Sequence, residues 1–383
     1  MLLLFLLHLA FFYTNTVPVQ ALTSPTDISA LKAFKASIKP SSILPWTCLA
    51  SWNFNTDPCA FPRRTHFTCG LTCSADSTRI TQLVLDPAGY SGTLTPLISR
   101  LSQLTTLDLS DNSFYGAIPP SISSLSNLQT LTLRSNSFSG SVPSSITTLK
   151  SLESLDLSHN SLTGLLPNSI NSLSNLRRLD LSYNKLTGSL SKLPPNLLEL
   201  ALKHNSLSGS LSKSSFDGLT QLEVVELSEN AFTGTLQGWF FLLPSLQQVD
   251  LANNSLTRVD VWKPADDGSD LVAVDLGFNK IEGSLPVNFA YHPRLSSLSV
   301  RYNRVRGTIP TEYSKTKFLR RLFLDGNFLI GKPPAGLFTG GTSVSGSLGY
   351  NCLKGCPASS QLCAPSQKPN AICKQAYGGK PRS

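Results

Sequence analysis

A phrase of thirteen residues, L-x-x-L-x-L-x-x-N-x-L-x-G, recurs along most of this chain and leaves it little choice of architecture. Set in register on its first apolar position, it begins at Ile80, Leu104, Leu128, Leu152, Leu176, Leu197, Leu222, Leu246, Leu271, Leu295 and Leu319, which makes eleven units mostly 24 residues apart. The x-L-x-L-x core of each unit alternates as a short strand does. One such strand cannot bury its leucines alone. Stacked units share a core with their neighbours, so the pattern predicts a solenoid with one parallel sheet.

A second column runs through the same frame: Asn112, Asn136, Asn160, Asn184, Asn205, Asn230, Asn254, Asn279, Asn303 and Asn327, with Ala88 in that place in the first unit. A buried amide is tolerated only when it is hydrogen-bonded, so these side chains are expected to bond the backbone of the turns above and below them. The residue before each asparagine varies freely.

Between the asparagines come Gly116-x-Ile118-Pro119, Gly140-x-Val142-Pro143, Gly164-x-Leu166-Pro167, Gly283-x-Leu285-Pro286 and Gly307-x-Ile309-Pro310. With them the chain resembles the leucine-rich repeat ectodomains of plant receptor-like proteins, receptor kinases and polygalacturonase inhibitors. The resemblance implies a leucine-rich repeat solenoid: a right-handed curved α/β superhelix with one parallel concave sheet, about 11 repeats and disulfide-capped ends. It also implies a second short strand at each G-x-I-P segment. The stretch TDISALKAFKASI is similar to the family's cap helix, with Leu31, Phe34 and Ile38 on one face and Thr26 or Asp27 as N-cap. Two departures stand out: the fifth unit is shortened by SKLPPN (191–196), and the eighth replaces G-x-I-P with TRVDVWKPADDGSD (257–270).

The flanks set the expected boundaries. An apolar run from Leu2 to Tyr13 followed by Val19-Gln20-Ala21 reads as a secretory signal over 1–21, too short to span a bilayer. A cysteine cap with an amphipathic helix follows over 22–79, the repeats over 80–342, and a C-terminal cysteine cap with a basic, partly disordered tail over 343–383. Cys48, Cys59, Cys69 and Cys73 precede the repeats; Cys352, Cys356, Cys363 and Cys373 follow them. Two disulfides at each end are expected, with three pairings open per flank. No transmembrane segment and no lipid-anchor tail is expected, and the chain reads as extracellular, in the apoplast or cell wall. Asn253-Asn254-Ser255 is its one N-glycosylation sequon.

Net charge is +9, unevenly spread. Residues 197–294 carry six Lys/Arg against twelve Asp/Glu, 295–342 eight against two, and 343–383 five against none. For a secreted chain this points to an acidic wall polysaccharide or an acidic protein, and away from nucleic acid. No H-E-x-x-H, G-x-S-x-G, phosphate-binding glycine loop or kinase catalytic loop occurs. Asp108, Asp156, Asp180, Asp250 and Asp275 share one frame position and read as a solvated column, not as glycosidase pairs. No enzyme activity, cofactor or metal is expected.

What remains is the variable surface on the concave side. His159, Tyr183 and His204, with Arg178, form one expected binding cluster; Phe278, Tyr302 and Phe323, with Arg301, Arg320 and Arg321, form another. Aromatics beside arginines are the composition of binding hot spots. The resemblance implies that Arg301 and Arg321 grip a carboxylate, while Arg304 and Arg306 face elsewhere. The expected function is a secreted non-catalytic recognition protein that binds a protein or peptide on its concave face in signalling or defence, alone or with a membrane receptor kinase. An inhibitor of wall-degrading enzymes such as polygalacturonase, and a wall protein held to pectin by its basic ends, are the alternatives.

Overall fold

The computed structural model describes residues 22–60, 69–265, 268–339, 344–357 and 359–378; the expected signal over 1–21 lies outside them. Thirteen strands form the concave sheet in chain order. The first, Leu71–Cys73, pairs antiparallel with Ile80–Val84 and closes the sheet's N-terminal edge; every later pairing is parallel. The register keeps Leu107, Leu131, Leu155, Leu179, Leu200, Val225, Val249, Val274, Leu298 and Leu322 level. All are buried, each stabilising the array by about 2 kcal/mol.

The array runs one strand beyond the expected eleven units. Ser345–Ser347 pairs with Arg321–Phe323, past the boundary expected at 342. The sequence hides this strand because its inward residue is Gly346, where a Cβ would lie 1.9 Å from the Leu322 carbonyl oxygen. Asn351 then continues the ladder, accepting from Leu329 N and donating to the carbonyls of Leu324, Leu348 and Gly349.

Every ladder amide repeats that pattern. Asn327, fully buried, accepts from Val305 N at 3.0 Å and donates to the carbonyls of Val300, Leu324 and Asp325. One side chain thus satisfies backbone groups of two successive units, its own and the one before it.

Two lateral sheets flank the concave one, an eight-stranded sheet from Ser91–Thr93 to Ser255–Val259 and a three-stranded sheet over Glu282–Ser284, Arg304–Gly307 and Phe328–Leu329. The gap falls at the eighth unit, where residues 257–270 replace G-x-I-P. The convex side is made mainly of short 3-10 turns such as Pro120–Ser124 and Ser144–Thr148, so the α part of the expected α/β superhelix is small. Pro119, Pro143, Pro286 and Pro310 stand just before such turns, each fixing its φ and ending the lateral strand.

The caps refine three expectations. The helix Pro25–Ala36 starts after Ser24, not at Thr26 or Asp27; Asp27 is fully buried, paired with Arg79 at 3.0 Å and accepting from Ile80 N, and so ties the cap to the first repeat. The disulfides are Cys48–Cys69, Cys59–Cys73, Cys352–Cys373 and Cys356–Cys363. The tail is ordered as far as 378, against expectation: Lys368 Nζ donates to the Asn327 and Tyr350 carbonyls over the Phe328 and Tyr350 rings. The helix Asn370–Gly378 brings Tyr377 Oη to the Phe328 carbonyl at 2.6 Å. The end of the ladder leaves carbonyls open, and a buried ammonium satisfies them.

Replacing Asn327 by Leu is expected to cost roughly 3 kcal/mol, because Val305 N–H and three carbonyls lose their partner inside the core. Hydrogen exchange reads the effect locally: the Val305 amide should lose protection, and unchanged protection there would refute the ladder's role.

Candidate functional site

Five of the concave strands end in an aspartate that governs the following turn. Asp108, Asp156, Asp180, Asp250 and Asp275 accept from the backbone N–H two residues on, at 2.8–3.1 Å. They are half-buried turn formers, and not the freely solvated column expected.

The next position but two is the one preceding the ladder asparagine, and its backbone is left-handed throughout. Asp111, Ser135, His159, Tyr183, His204, Glu229, Asn253, Phe278 and Tyr302 have φ between 49° and 56°. Such a conformation costs a non-glycine residue about 1 kcal/mol; here it turns the chain from the concave strand into the lateral one. These side chains therefore stand on the rim, where their rings stack. His159 and Tyr183 lie 4.1 Å apart by centroid, Tyr183 and His204 5.1 Å, Phe278 and Tyr302 4.8 Å. Asn253, the sequon residue, is exposed on the rim.

The first expected cluster holds together in part. His204 Nδ1 meets Glu229 at 2.7 Å and Lys203 meets it at 3.4 Å; the His204 hydrogen bond, first, holds the Glu229 carboxyl below its usual range. Arg178 lies on the strand Arg178–Asp180 and pairs with Glu199 at 3.3 Å.

The second cluster is rearranged. Arg301 is enclosed by the rings of Phe278, Tyr302 and Phe323, with its guanidinium carbon 5.4–5.6 Å from each centroid, and it pairs at 3.3 Å with the buried Asp325. Its stem lies across Gly277, where a Cβ would come within 2.9 Å. Arg301 is thus already engaged by its own protein. Arg320 does not join the patch: its Nη1 bonds the Lys317 and Leu319 carbonyls in the preceding loop. Arg321 faces the concave hollow with Phe323. Arg304 pairs with Glu282 and Arg306 lies over Tyr377, both away from the concave face.

That hollow is a trough of about 330 Å³ across five strands, floored by Val224, Gln248, Ala273 and Ser297, with Glu226 and Asp250 on its first two strands, Asp275 on the middle one and Arg321 and Phe323 on the last. The Glu226 carboxyl is raised above its usual range, first by desolvation within the curve and then by the charges of Asp250, Asp180 and Glu199. Asp180 is raised too, again first by desolvation.

A leucine-rich repeat region model matches residues 84–325, more than half of the chain. The chain belongs to the leucine-rich repeat proteins. A leucine-rich repeat N-terminal domain model matches residues 24–63. Receptor-like protein 7 of Arabidopsis thaliana is 35% identical over 118 residues, 30% of this chain and 11% of that protein. The crystal structure of PEPR1–AtPEP1 superposes with a TM-score of 0.75 at 31% identity, covering 86% of this chain and 45% of that one. The plant peptide hormone receptor RGFR1 in complex with RGF2 gives 0.59 at 28%, covering 69% and 46%. The chain thus spans less than half the length of these relatives.

Sequence reasoning missed Asp325 beneath Arg301 and a pair unrelated to the family frame, Ser269 and His292. Ser269 Oγ and His292 Nδ1 are 2.8 Å apart, with Nε2 unpartnered. Both residues are buried, so this Ser–His contact meets no substrate and acts as a core staple where the eighth unit departs from the repeat. Burial lowers the His292 pKa to about 4 from 6.5. Above pH 6.5 both folded and unfolded chains hold it neutral; as pH falls towards 4 the unfolded chain gains a proton that the folded one refuses. Stability should therefore drop across that window, by up to about 3 kcal/mol. Melting curves at pH 7 and 4.5 check this, and His292→Gln should flatten the difference.

Proposed function

We propose that this leucine-rich repeat chain is a secreted, non-catalytic recognition protein whose concave trough binds an extracellular protein or peptide. The observation that carries the reading is the trough: a hollow across five strands with opposite charges at its two ends, on a scaffold whose own polar groups are spent in the ladder. Electrostatic complementarity of that kind selects a ligand and its direction. The similarity to a plant peptide hormone receptor in complex with RGF2 supports a peptide. All eight cysteines are in disulfides, and among the described residues no helix is long and apolar enough to cross a membrane; the first supports an oxidising, extracellular setting.

The stacked rim rings, His159–Tyr183–His204 and Phe278–Tyr302, flank the trough as secondary contacts in this reading, and a glycan on Asn253 would separate the two groups. A membrane receptor kinase as co-receptor, a role in defence, and retention by acidic wall polysaccharide belong to the same proposal as its finer possibilities.

Filling the floor tests it. Ala273→Trp and Ser297→Trp should abolish capture of a crosslinked ligand from wall extract, at least tenfold below the unsubstituted protein, while melting shifts by only a few degrees. Capture that survives both substitutions would remove the ligand from the trough. Inhibition of polygalacturonase by the purified protein, insensitive to both, would favour the inhibitor alternative.

A further inference from the structure

Two charged side chains face the trough without a side-chain hydrogen bond or salt bridge among the described residues. Glu226, at one end, is one of them; Lys203, the cation acting on it, is paired with Glu229 at 3.4 Å. Asp250 and Asp275 accept from Ser228 Oγ, Ala252 N and Gly277 N, and neither makes a salt bridge among the described residues. At the other end Arg321 lines the same hollow and makes no side-chain hydrogen bond or salt bridge among the described residues. Arg301, the neighbouring arginine, is held by Asp325 and three rings.

A further, independent observation lies between the ends. Ser299 lines the trough, is 5% exposed, and its Oγ has no hydrogen-bond partner. A buried hydroxyl without a partner costs about 1–3 kcal/mol, and because this oxygen is sealed from solvent a ligand's polar group relieves that cost only if the Ser299 side chain turns towards the trough. The floor beside it is small-sided, with Ala273 and Ser297 in register, so a ligand backbone can approach the sheet closely there.

The ends are separated by a countable number of strands. From Val224–Glu226 through Gln248–Asp250, Ala273–Asp275 and Ser297–Ser299 to Arg321–Phe323 there are four steps, which at about 4.8 Å each gives about 19 Å. An extended chain of about six residues covers that span at about 3.3 Å per residue.

Resting on the reading of the trough as a site for an extended peptide whose carboxylate end meets Arg321, we infer that this ligand carries, about six residues away, a Lys or Arg side chain that seats against Glu226 and Asp250. The cation seat gives the ligand its direction, lysine or arginine end towards the N-terminal cap. It also excludes polyanions such as pectic chains from this part of the face, which places any wall affinity on the basic flanks.

Fluorescence anisotropy with labelled hexapeptides tests the inference. The probes are Lys-Ala-Ser-Ala-Ser-Phe with a free C-terminus, and the same peptide with norleucine or Glu in place of Lys. The Lys probe should bind the unsubstituted protein at least tenfold more tightly than the norleucine probe. The double variant Glu226→Gln, Asp250→Asn should erase that preference, and Glu226→Lys should transfer it to the Glu probe, a gain that misfolding cannot produce. Equal binding of Lys and norleucine probes, or a preference that survives in the double variant, would overturn the inference. If no probe binds while a ligand sensitive to Ala273→Trp is still captured from wall extract, the cation seat is wrong and the trough reading stands; if neither occurs, both fall.

Discussion

The hydrogen bonds of the ladder asparagines are what the rest of this molecule depends on. Each unit supplies a strand of three residues or so, too short to hold a register by itself, and each is followed by a tight turn whose N–H and C=O groups point into the stack. An amide that accepts from the preceding unit and donates to carbonyls of that unit and of its own closes that account. Once the turns are fixed, the leucines fall level and the core becomes continuous. The ladder ends where a side chain of another kind takes over: at the C-terminus Lys368 supplies donors to the Asn327 and Tyr350 carbonyls, and at the N-terminus Asp27 accepts from Ile80 N.

The same turn carries the strain. Eleven successive units need a left-handed residue before or at the ladder position, and only Gly326 among them meets the need without cost. The other positions hold residues as bulky as Tyr and Phe, whose rings stack on their neighbours and recover part of the penalty. Where the column does fall to glycine, the vacancy is filled: a Cβ on Gly326 would strike the Tyr302 ring at 2.7 Å. The rim is thus a packed edge, and its aromatic composition has a structural cause.

Much of the fold was legible because the period is enforced by backbone chemistry that tolerates few substitutions: leucines inward, asparagine in the turn, proline at the convex turn. What escaped was whatever the frame does not encode. The strand Ser345–Ser347 was invisible because its inward residue is glycine. The tail read as disordered because its anchors, Lys368, Cys373 and Tyr377, are three isolated residues in a polar segment, and only the fold brings them onto Phe328 and Cys352. Arg301 read as a free ligand-binding arginine because its partner, Asp325, lies one unit away in a position where most other units carry serine, alanine or glycine. The acidic column at one frame position was equally legible, yet its purpose, capping the turn, needed the geometry.

Unanswered charge is a liability that a globular core rarely carries, since a missing partner destabilises the whole. In a solenoid the liability is local: stability is a sum of units and their interfaces, and Glu226 and Arg321 stand on strands whose leucine and valine neighbours are fully buried. The curve itself sharpens the effect, because side chains on a concave sheet converge, so that Asp180, Glu199 and Asp250 all raise the Glu226 carboxyl beyond what its desolvation does. Flattening the sheet would relax that crowding, and so would a cation from outside. A rigid scaffold that cannot flatten is therefore left with the second way of neutralising its concave charge, and it is the ladder's rigidity, one turn beneath the surface, that holds these carboxylates close enough to raise one another.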